Sequence, residues 1–205
     1  MSFIAFEGGE ACGKSTQSAL LAARLGAVLT REPGGTQLGE RLRSLLLERA
    51  SVGGGAVVPR AEALLMAAAR AQHVAEVIRP ALAAGRHVVT DRFTGSSLAY
   101  QGAGRGLGVA AVAAISRFAT DGLEPDRTVL LVVPAAAVAD RLARREQDRI
   151  EAAGDDFHAR VDEAYRALAE ADASWVVVDA SGSVDEVAAA VWAAIGGVAV
   201  GSAGG

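Results

Sequence analysis

A glycine-rich motif close to the start of the chain constrains the fold more than any other feature. The motif requires a glycine, any four residues, and then Gly-Lys-Ser or Gly-Lys-Thr. This chain fits it at every fixed position with Gly8, Gly9, Glu10, Ala11, Cys12, Gly13, Lys14 and Ser15. A short apolar run precedes the motif, and apolar residues at helical spacing follow it. The order of strand, loop and helix predicts a loop that binds phosphate.

The chemistry of such a loop follows from its backbone. Glycines let successive N–H groups turn toward one point, and the start of the next helix adds a partial positive charge there. Lys14 can then reach the outer phosphates of a nucleotide, and the Ser15 hydroxyl can hold Mg²⁺. The motif therefore predicts binding of a nucleoside triphosphate with Mg²⁺.

Composition and charge exclude several classes of protein. A net charge of -4 and a pI near 5.4 argue against nucleic-acid binding along a general basic surface. The single cysteine, Cys12, cannot form an internal disulfide and fits a reducing compartment. We see neither a signal peptide nor an apolar run of membrane-spanning length. The sequence thus predicts a cytoplasmic protein without nucleic-acid or membrane partners.

The remaining pattern alternates strands with helices. Further strands are predicted at 27–30, 87–90, 128–133 and 175–179, and helices between them, including a long one at 60–84 that Pro80 interrupts. This alternation predicts a three-layer α/β fold with a five-stranded parallel sheet. We assign 1–197 to a single domain and 198–205 to a flexible glycine-rich tail, and we expect the polar segment 94–108 to be flexible as well.

Polar residues follow two of the predicted strands. They lie at 31–36 after the second strand, at Asp91 and Arg92 after the third, and at 96–105 just beyond. The carboxyl ends of parallel strands meet at one edge of the sheet, where such folds bind ligands. A phosphate loop alone leaves kinases, ATPases, GTPases and sulfotransferase-like proteins open, but the chain lacks the Asn-Lys-x-Asp motif by which a GTPase reads guanine.

Taken together, these motifs resemble the bacterial thymidylate kinases, P-loop enzymes that phosphorylate dTMP with ATP. The resemblance rests on motifs in the family's order over about 3–180: the phosphate loop with Thr16 and Gln17, the segments 30–36 and 70–74, Asp91-Arg92, the segments 99–102 and 104–106, and 148–151. It implies a P-loop kinase fold with a short lid at about 144–157, Mg²⁺ with ATP, and a homodimer, for which the helix at 109–120 could supply the contact face.

The resemblance also implies an acceptor site for dTMP. Glu10 would orient the deoxyribose, Arg43 and Arg92 would hold the phosphate, Arg70 and Gln101 would contact the base edge, and Tyr100 would wall the sugar. A planar guanidinium suits a bidentate phosphate contact. The implied acceptor residues are Glu10, Pro33, Arg43, Met66, Arg70, Arg92, Ser97, Tyr100 and Gln101.

The same resemblance assigns the residues that would act on ATP. Lys14 and Arg92 would be catalytic together with Glu10, and Asp91 would organise Mg²⁺ with Ser15. Since the phosphate loop contains no arginine, a lid arginine would neutralise the migrating phosphoryl group, and we favour Arg149 over Arg145. The implied ATP-binding residues are Gly8 to Thr16 with Arg145 and Arg149.

Two departures from the family pattern keep alternatives open. Met66 stands where the family generally has a phenylalanine that stacks on thymine, and Ala11 replaces a usual glycine at a free position of the motif. The acceptor could therefore be dUMP, a modified deoxynucleotide or another monophosphate. A further alternative is a non-catalytic module that binds ATP and regulates a partner protein.

Overall fold

Five parallel strands form the centre of the structure. They are β1 (Phe3–Glu7), β2 (Val28–Arg31), β3 (Val88–Asp91), β4 (Arg127–Val132) and β5 (Trp175–Asp179), and they lie in the order β2-β3-β1-β4-β5. The computed structural model describes residues 1–47, 57–134 and 148–196. The sheet confirms the predicted strands to within one residue at each end.

The helices surround this sheet. They are α1 (Lys14–Leu25), α2 (Gln37–Leu47), α3 (Pro59–His73), α4 (Arg79–Ala83), α5 (Thr94–Ser97), α6 (Val109–Thr120), α7 (Asp155–Ala171) and α8 (Val184–Ala194). Two π-helical segments, Val74–Ile78 and Leu98–Gly104, and a short 3-10 helix, Glu151–Ala153, complete the described elements. A helix predicted at 135–145 and the glycine-rich tail predicted at 198–205 lie outside the described residues, so the domain division stays a prediction.

Apolar side chains that alternate in direction along the buried strands pack into hydrophobic clusters on both faces of the sheet. In β1, Ile4 and Phe6 pack with residues of α1 and α8 on one face of the sheet, whereas Phe3 and Ala5 pack with the α3 side on the other. Every residue of β1 is buried, as expected for the central strand of a parallel sheet. The structure is therefore the predicted three-layer α/β fold.

Strand register places the functional segments beside each other. β1 pairs with β3 so that Phe6 lies opposite Asp91, and the Arg92 N–H donates to the Phe6 carbonyl over 2.9 Å. The phosphate loop leaves the end of β1, and Asp91-Arg92 end β3. Adjacent parallel strands thus bring the two motifs to one edge of the sheet.

The prediction of a flexible segment at 94–108 is wrong. Thr94–Ser97 and Leu98–Gly104 are helical, and most of the second stretch is buried. Its glycines allow close packing: a Cβ added at Gly104 would lie 2.6 Å from Phe157 Cε2, and one at Gly102 would lie 3.1 Å from the Val109 Cα. The many glycines of this segment indicated mobility, but tertiary packing holds the segment in a helical conformation.

The long helix at 60–84 is interrupted as predicted, but one turn earlier than Pro80. The π-helical turn Val74–Ile78 precedes α4, in whose first turn Pro80 lies. Proline is tolerated at this position because the first N–H groups of a helix need no intrahelical acceptor. At the other end of the chain, Ser183 caps α8 through a capping box with Glu186, which confirms the predicted cap. None of the described helices is long and apolar enough to cross a membrane.

Candidate active site

A cavity of ≈ 420 Å³ opens at the carboxyl edge of the sheet. Most of the residues implied in ATP and acceptor binding line it. The lining consists of Glu10, Ala11, Cys12, Gly13, Lys14, Ser15, Thr16, Arg31, Glu32, Pro33, Arg43, Leu47, Met66, Arg70, Asp91, Arg92, Phe93, Ser96, Ser97, Tyr100, Gln101, Asp148 and Ile150. The fold therefore brings segments from the whole chain to one site.

The phosphate loop has the backbone that its sequence predicts. Gly8 has a φ of 143°, and a Cβ there would lie 2.5 Å from the Leu131 carbonyl oxygen, so the position requires glycine. Ala11 adopts a φ of 54°, which an alanine can do at a cost of roughly 1–2 kcal/mol. The Lys14 ammonium is buried and donates to the Gly9 carbonyl over 2.6 Å and to the Gly8 carbonyl over 3.2 Å.

Ser15 and Asp91 meet at the start of α1. The Ser15 hydroxyl donates to Asp91 Oδ2 over 2.5 Å. Asp91 Oδ1 is buried and has no hydrogen-bond partner among the residues that the structure describes. A hydroxyl and an unsatisfied carboxylate oxygen beside a phosphate loop fit Mg²⁺, which takes only one or two protein oxygens and completes its shell with phosphate and water. The described part of the chain contains no group of three or more His, Cys, Asp or Glu side chains that could hold another metal ion.

Arg92 is the centre of a polar cluster on the other side of the phosphate loop. Its Nη2 donates to Glu10 Oε1 over 2.8 Å, and its Nη1 donates to the Gly8 carbonyl over 3.2 Å and to Ser96 Oγ over 3.0 Å. Tyr100 OH donates to the same Glu10 oxygen over 2.5 Å. Burial alone would lower the pKa of Arg92, but the nearby Glu10 and Tyr100 raise it well above its ordinary value. The guanidinium is thus a fixed cation at the point where the two motifs meet.

Sequence reasoning missed Glu7, which contacts this cluster through Ser96. Its fully buried carboxylate accepts from the N–H groups of Phe93 and Ser96, each over 2.9 Å, from Ser96 Oγ over 2.6 Å and from Tyr165 OH over 3.0 Å. Burial raises the pKa of Glu7, and the hydrogen bonds oppose that effect. Glu7 fixes the turn that follows Arg92. The only signal for it in the sequence was a charged residue at the end of an otherwise apolar strand.

Arg43 and Met66 lie on separate helices that face the cavity. Arg43 Nη1 donates to the Pro33 carbonyl over 2.9 Å, across a loop that contains a cis Glu32–Pro33 peptide. Burial lowers the pKa of Arg43, and the neighbouring charge of Arg31 lowers it further. Met66 lies four residues before Arg70 on α3, so both side chains lie on the same face of the helix. The structure therefore brings the implied phosphate and base contacts into one cavity.

Arg70 is buried among acceptors. Its Nε donates to Glu32 Oε2 over 2.7 Å, and its Nη2 donates to the Phe93 carbonyl and to Ser97 Oγ, each over 3.0 Å. The other oxygen of Glu32 lies 2.9 Å from His73 Nδ1. Sequence reasoning missed Glu32 because a carboxylate before a Pro-Gly-Gly turn normally lies in solvent. Here it fixes the rotamer of Arg70.

Glu62, which sequence reasoning also missed, contacts Gln101, and Gln101 lines the cavity. Its buried carboxylate accepts from Gln101 Nε2 over 2.9 Å, from Arg105 at 3.2 Å on each oxygen, and from Arg149 Nη2 over 2.7 Å. The available signal was its spacing, since Glu62, Met66 and Arg70 recur every four residues along α3.

Arg149, the favoured lid arginine, contacts Glu62 in the structure. Its Nε also donates to the Leu46 carbonyl over 2.9 Å, and it is absent from the residues lining the cavity, although its neighbours Asp148 and Ile150 are present. Contact between Arg149 and the transferred phosphoryl group stays a prediction. Arg145 lies outside the described residues.

The buried charge of Glu62 leads to a prediction about how the free energy of unfolding depends on pH. Burial alone would raise its pKa, but hydrogen bonds from Gln101, Arg105 and Arg149 lower it below the ordinary 4.5. Glu62 therefore stabilises the fold at pH above 4.5, and this contribution is lost as the pH falls through the lowered pKa. We expect Glu62→Gln to reduce the free energy of unfolding by about 1–3 kcal/mol at neutral pH.

Urea unfolding of the wild type and of Glu62→Gln, measured from neutral pH downward, checks this expectation. The difference between the two free energies of unfolding should stay constant above pH 4.5 and shrink below it. A difference that is the same at every pH would show that the Glu62 charge does not stabilise the fold.

Comparison with known proteins agrees with this geometry. Residues 6–191 match the family model described as thymidylate kinase. The chain is 50% identical over 196 residues to a thymidylate kinase of Leifsonia xyli subsp. xyli, covering 92% of this chain and 91% of that one. It is also 50% identical over 199 residues to a thymidylate kinase of Bifidobacterium longum, covering 94% of each.

A solved structure extends the agreement to three dimensions. The crystal structure of thymidylate kinase from Ehrlichia chaffeensis superposes with a TM-score of 0.75 at 30% sequence identity, covering 94% of this chain and 96% of that one. The fold, the placement of the phosphate loop and the sequence relatives all agree, and the chain belongs to the thymidylate kinase family.

Proposed function

We propose that the cavity holds ATP on the phosphate loop and dTMP against Arg92, Arg70 and Gln101. The activity is that of the family, transfer of the terminal phosphoryl group of ATP to dTMP, which gives dTDP and ADP. One observation carries the placement: Gly8 accepts hydrogen bonds from both Lys14 and Arg92. A donor phosphate on one side of the loop and an acceptor phosphate on the other would lie close together.

The donor half is built from the loop and the end of β3. Lys14 would leave the Gly8 and Gly9 carbonyls to bind the outer phosphates, as the lysine of such loops does. Ser15 and Asp91 would hold Mg²⁺, which, when bound, neutralises charge on the phosphate oxygens. The unsatisfied Asp91 oxygen, within the described residues, supports this assignment.

The acceptor half is built from the loops after β2 and β3 and from α3. Arg92, with Arg43 across the cavity, would bind the dTMP phosphate, and Glu10 and Tyr100 would face the deoxyribose. Since phosphoryl transfer involves little covalent chemistry by the protein, catalysis would consist of positioning the two substrates in line and neutralising charge. No side chain needs to form a covalent intermediate.

A coupled assay of ADP formation tests the proposed function. The purified chain is given ATP and Mg²⁺ with dTMP, dUMP, dCMP or dGMP in turn, and kcat/KM is compared. We expect dTMP to give the highest value. A higher value for another monophosphate would overturn the assignment of the acceptor, and absence of turnover with all four would favour an ATP-binding module, for which the comparisons give no support.

Met66 leads to a prediction about base affinity. We expect Met66→Phe to lower the Kd for dTMP by about fivefold, because base–aromatic stacking is worth about 1–3 kcal/mol and methionine already supplies part of that contact. Isothermal titration calorimetry with dTMP measures it. Met66→Leu is the matched control, since it keeps an apolar side chain without a ring and should not tighten binding. Unchanged or weaker binding to Met66→Phe would mean that position 66 does not face the base.

The remaining assignments concern assembly and location. We propose a homodimer in which α6 contributes to the contact, because Phe118 on this helix is 89% exposed. A cytoplasmic location is consistent with the ATP and dTMP of the reaction and with the single cysteine. The net charge of -4 supports the expectation of small-molecule substrates in place of nucleic acid or membrane partners.

A further inference from the structure

Glu62 makes a contact whose chemistry bears on base selectivity. It is fully buried, and its partners come from three places: Gln101 in the π-helical segment, Arg105 just after it, and Arg149 in the predicted lid segment. Gln101 lines the cavity, whereas Glu62 does not. Any effect of Glu62 on a ligand must therefore pass through Gln101 or the neighbouring segments.

The hydrogen bond between Glu62 and Gln101 allows only one orientation of the Gln101 amide. An ionised carboxylate can only accept hydrogen bonds, so the side of the amide that faces it must be the NH₂ group. Two arginines keep Glu62 ionised by donating to the same carboxylate. The carbonyl oxygen of Gln101, Oε1, consequently points away from Glu62. Among the described residues this oxygen has no hydrogen-bond partner. It is also not one of their fully buried polar atoms that lack a partner.

Donors line the same cavity as this acceptor. Arg70, which carries only donors, gives four of its five N–H groups to protein acceptors within the described residues. Ser97 accepts from Arg70 and so keeps its own hydroxyl proton to donate. Both residues line the same cavity as Gln101, and Ser97 lies one helical turn before it. The cavity wall thus offers donors next to a fixed carbonyl acceptor.

This pattern distinguishes one pyrimidine edge from another. Thymine and uracil present a carbonyl next to a ring N–H, which complements a donor next to an acceptor. Cytosine presents an amino group next to an unprotonated ring nitrogen, and that nitrogen would face the Gln101 oxygen with no proton between them. Leaving such polar groups unpaired in a buried site is costly.

We propose that Glu62 is a positioning residue that sets pyrimidine selectivity by locking the Gln101 amide with its carbonyl toward the base. The proposal depends on the placement of the base against Gln101 and Arg70 given above. Arg105 and Arg149 contribute by holding Glu62 in its ionised form. A neutral amide at position 62 would permit both orientations of Gln101, because an amide can donate as well as accept.

Steady-state kinetics of Glu62→Gln with dTMP and with dCMP, at saturating ATP, test the proposal. We expect the ratio of kcat/KM for dTMP to that for dCMP to fall by about tenfold or more, mainly through the two acceptor KM values, while the KM for ATP changes little. Arg105→Gln is the matched control: it disturbs the same cluster but leaves the carboxylate, which Arg149 still keeps ionised, so the ratio should be retained. An unchanged ratio in Glu62→Gln, or an equal fall in Arg105→Gln, would overturn the proposal.

The variant Gln101→Met tests the role of Glu62 separately from the proposed position of the base against Gln101. It can also be measured if Glu62→Gln does not fold. Methionine has a similar size but no carbonyl, so we expect the KM for dTMP to rise and that for dCMP to fall. If neither KM changes, the base does not lie against Gln101 and the placement itself is wrong. If both rise equally, the Gln101 carbonyl does not select the base and the role of Glu62 is refuted.

Discussion

Replacing Lys14 with alanine is expected to lower kcat by about 10²–10³-fold or more, the scale of losing one preorganised donor to a charged transition state. Lys14 is 6% exposed and lies on the Gly8 and Gly9 carbonyls, within reach of any phosphate bound by the loop. The phosphate loop contains no second cation, and the described lid arginine, Arg149, is held by Glu62. Arg92, which also contacts the Gly8 carbonyl, is paired with Glu10, so we do not expect it to replace the Lys14 ammonium.

Initial rates at saturating ATP and dTMP, together with thermal unfolding, separate catalysis from folding. The midpoint of unfolding should change by only a few degrees, because the ammonium contacts backbone carbonyls at the edge of the cavity. Arg79→Ala is the control, since it removes a cation that contacts Asp121, away from the cavity, and should leave kcat unchanged. Near-wild-type turnover by Lys14→Ala would contradict the phosphate-loop mechanism.

The second large effect is expected at Arg92, where Arg92→Ala should raise the KM for dTMP by about 10²-fold. Its guanidinium contacts the Gly8 carbonyl through Nη1 and Glu10 through Nη2. A lysine ammonium lacks this planar arrangement of two donor nitrogens. Truncation leaves the partly buried Glu10 carboxylate without this partner, which costs about 1–3 kcal/mol of stability. Arg92→Lys keeps the charge and so reduces that cost, but we expect a rise in KM of about tenfold.

Kinetics at varied dTMP and fixed ATP, then the reverse, measure the two variants. The increase should appear in the KM for dTMP and much less in that for ATP, because the proposed function places Arg92 on the acceptor side of the loop. Arg79→Lys is the matched control for an arginine-to-lysine change away from the cavity. Equal increases in both KM values, or none in Arg92→Lys, would mean that Arg92 organises the fold and does not bind the acceptor phosphate.

Most of the fold could be predicted because local pattern and tertiary environment agree. The strands are short apolar runs, the helices have apolar residues at helical spacing, and Ser183 with Glu186 forms a recognisable cap. The segment 94–108 could not be predicted, because its glycines serve close packing against Phe157 and Val109, which are distant in sequence or belong to another helix. A glycine that permits contact has the same local pattern as one that permits motion.

The candidate site divides in a similar way. Lys14, Asp91 and Arg92 could be found because each follows a strand whose end must lie at the ligand edge. Glu7 and Glu32 also lie at strand ends, but their roles and that of Glu62 could not be predicted, because a carboxylate is normally solvated and its burial depends on partners far along the chain. Glu62, for example, pairs with Arg105 and Arg149, which lie 43 and 87 residues further along the chain.

The sequence by itself determined the phosphate loop, the order of strands and helices, and the edge of the sheet at which ligands bind. These depend on interactions between near neighbours, which fix backbone conformation and the periodicity of burial. The tertiary structure alone decided the partners of the charged side chains: Lys14 donates to the loop carbonyls, Arg92 pairs with Glu10, and Arg149 pairs with Glu62. Long side chains reach several alternative partners, and only the packed chain determines which partner lies within hydrogen-bond distance.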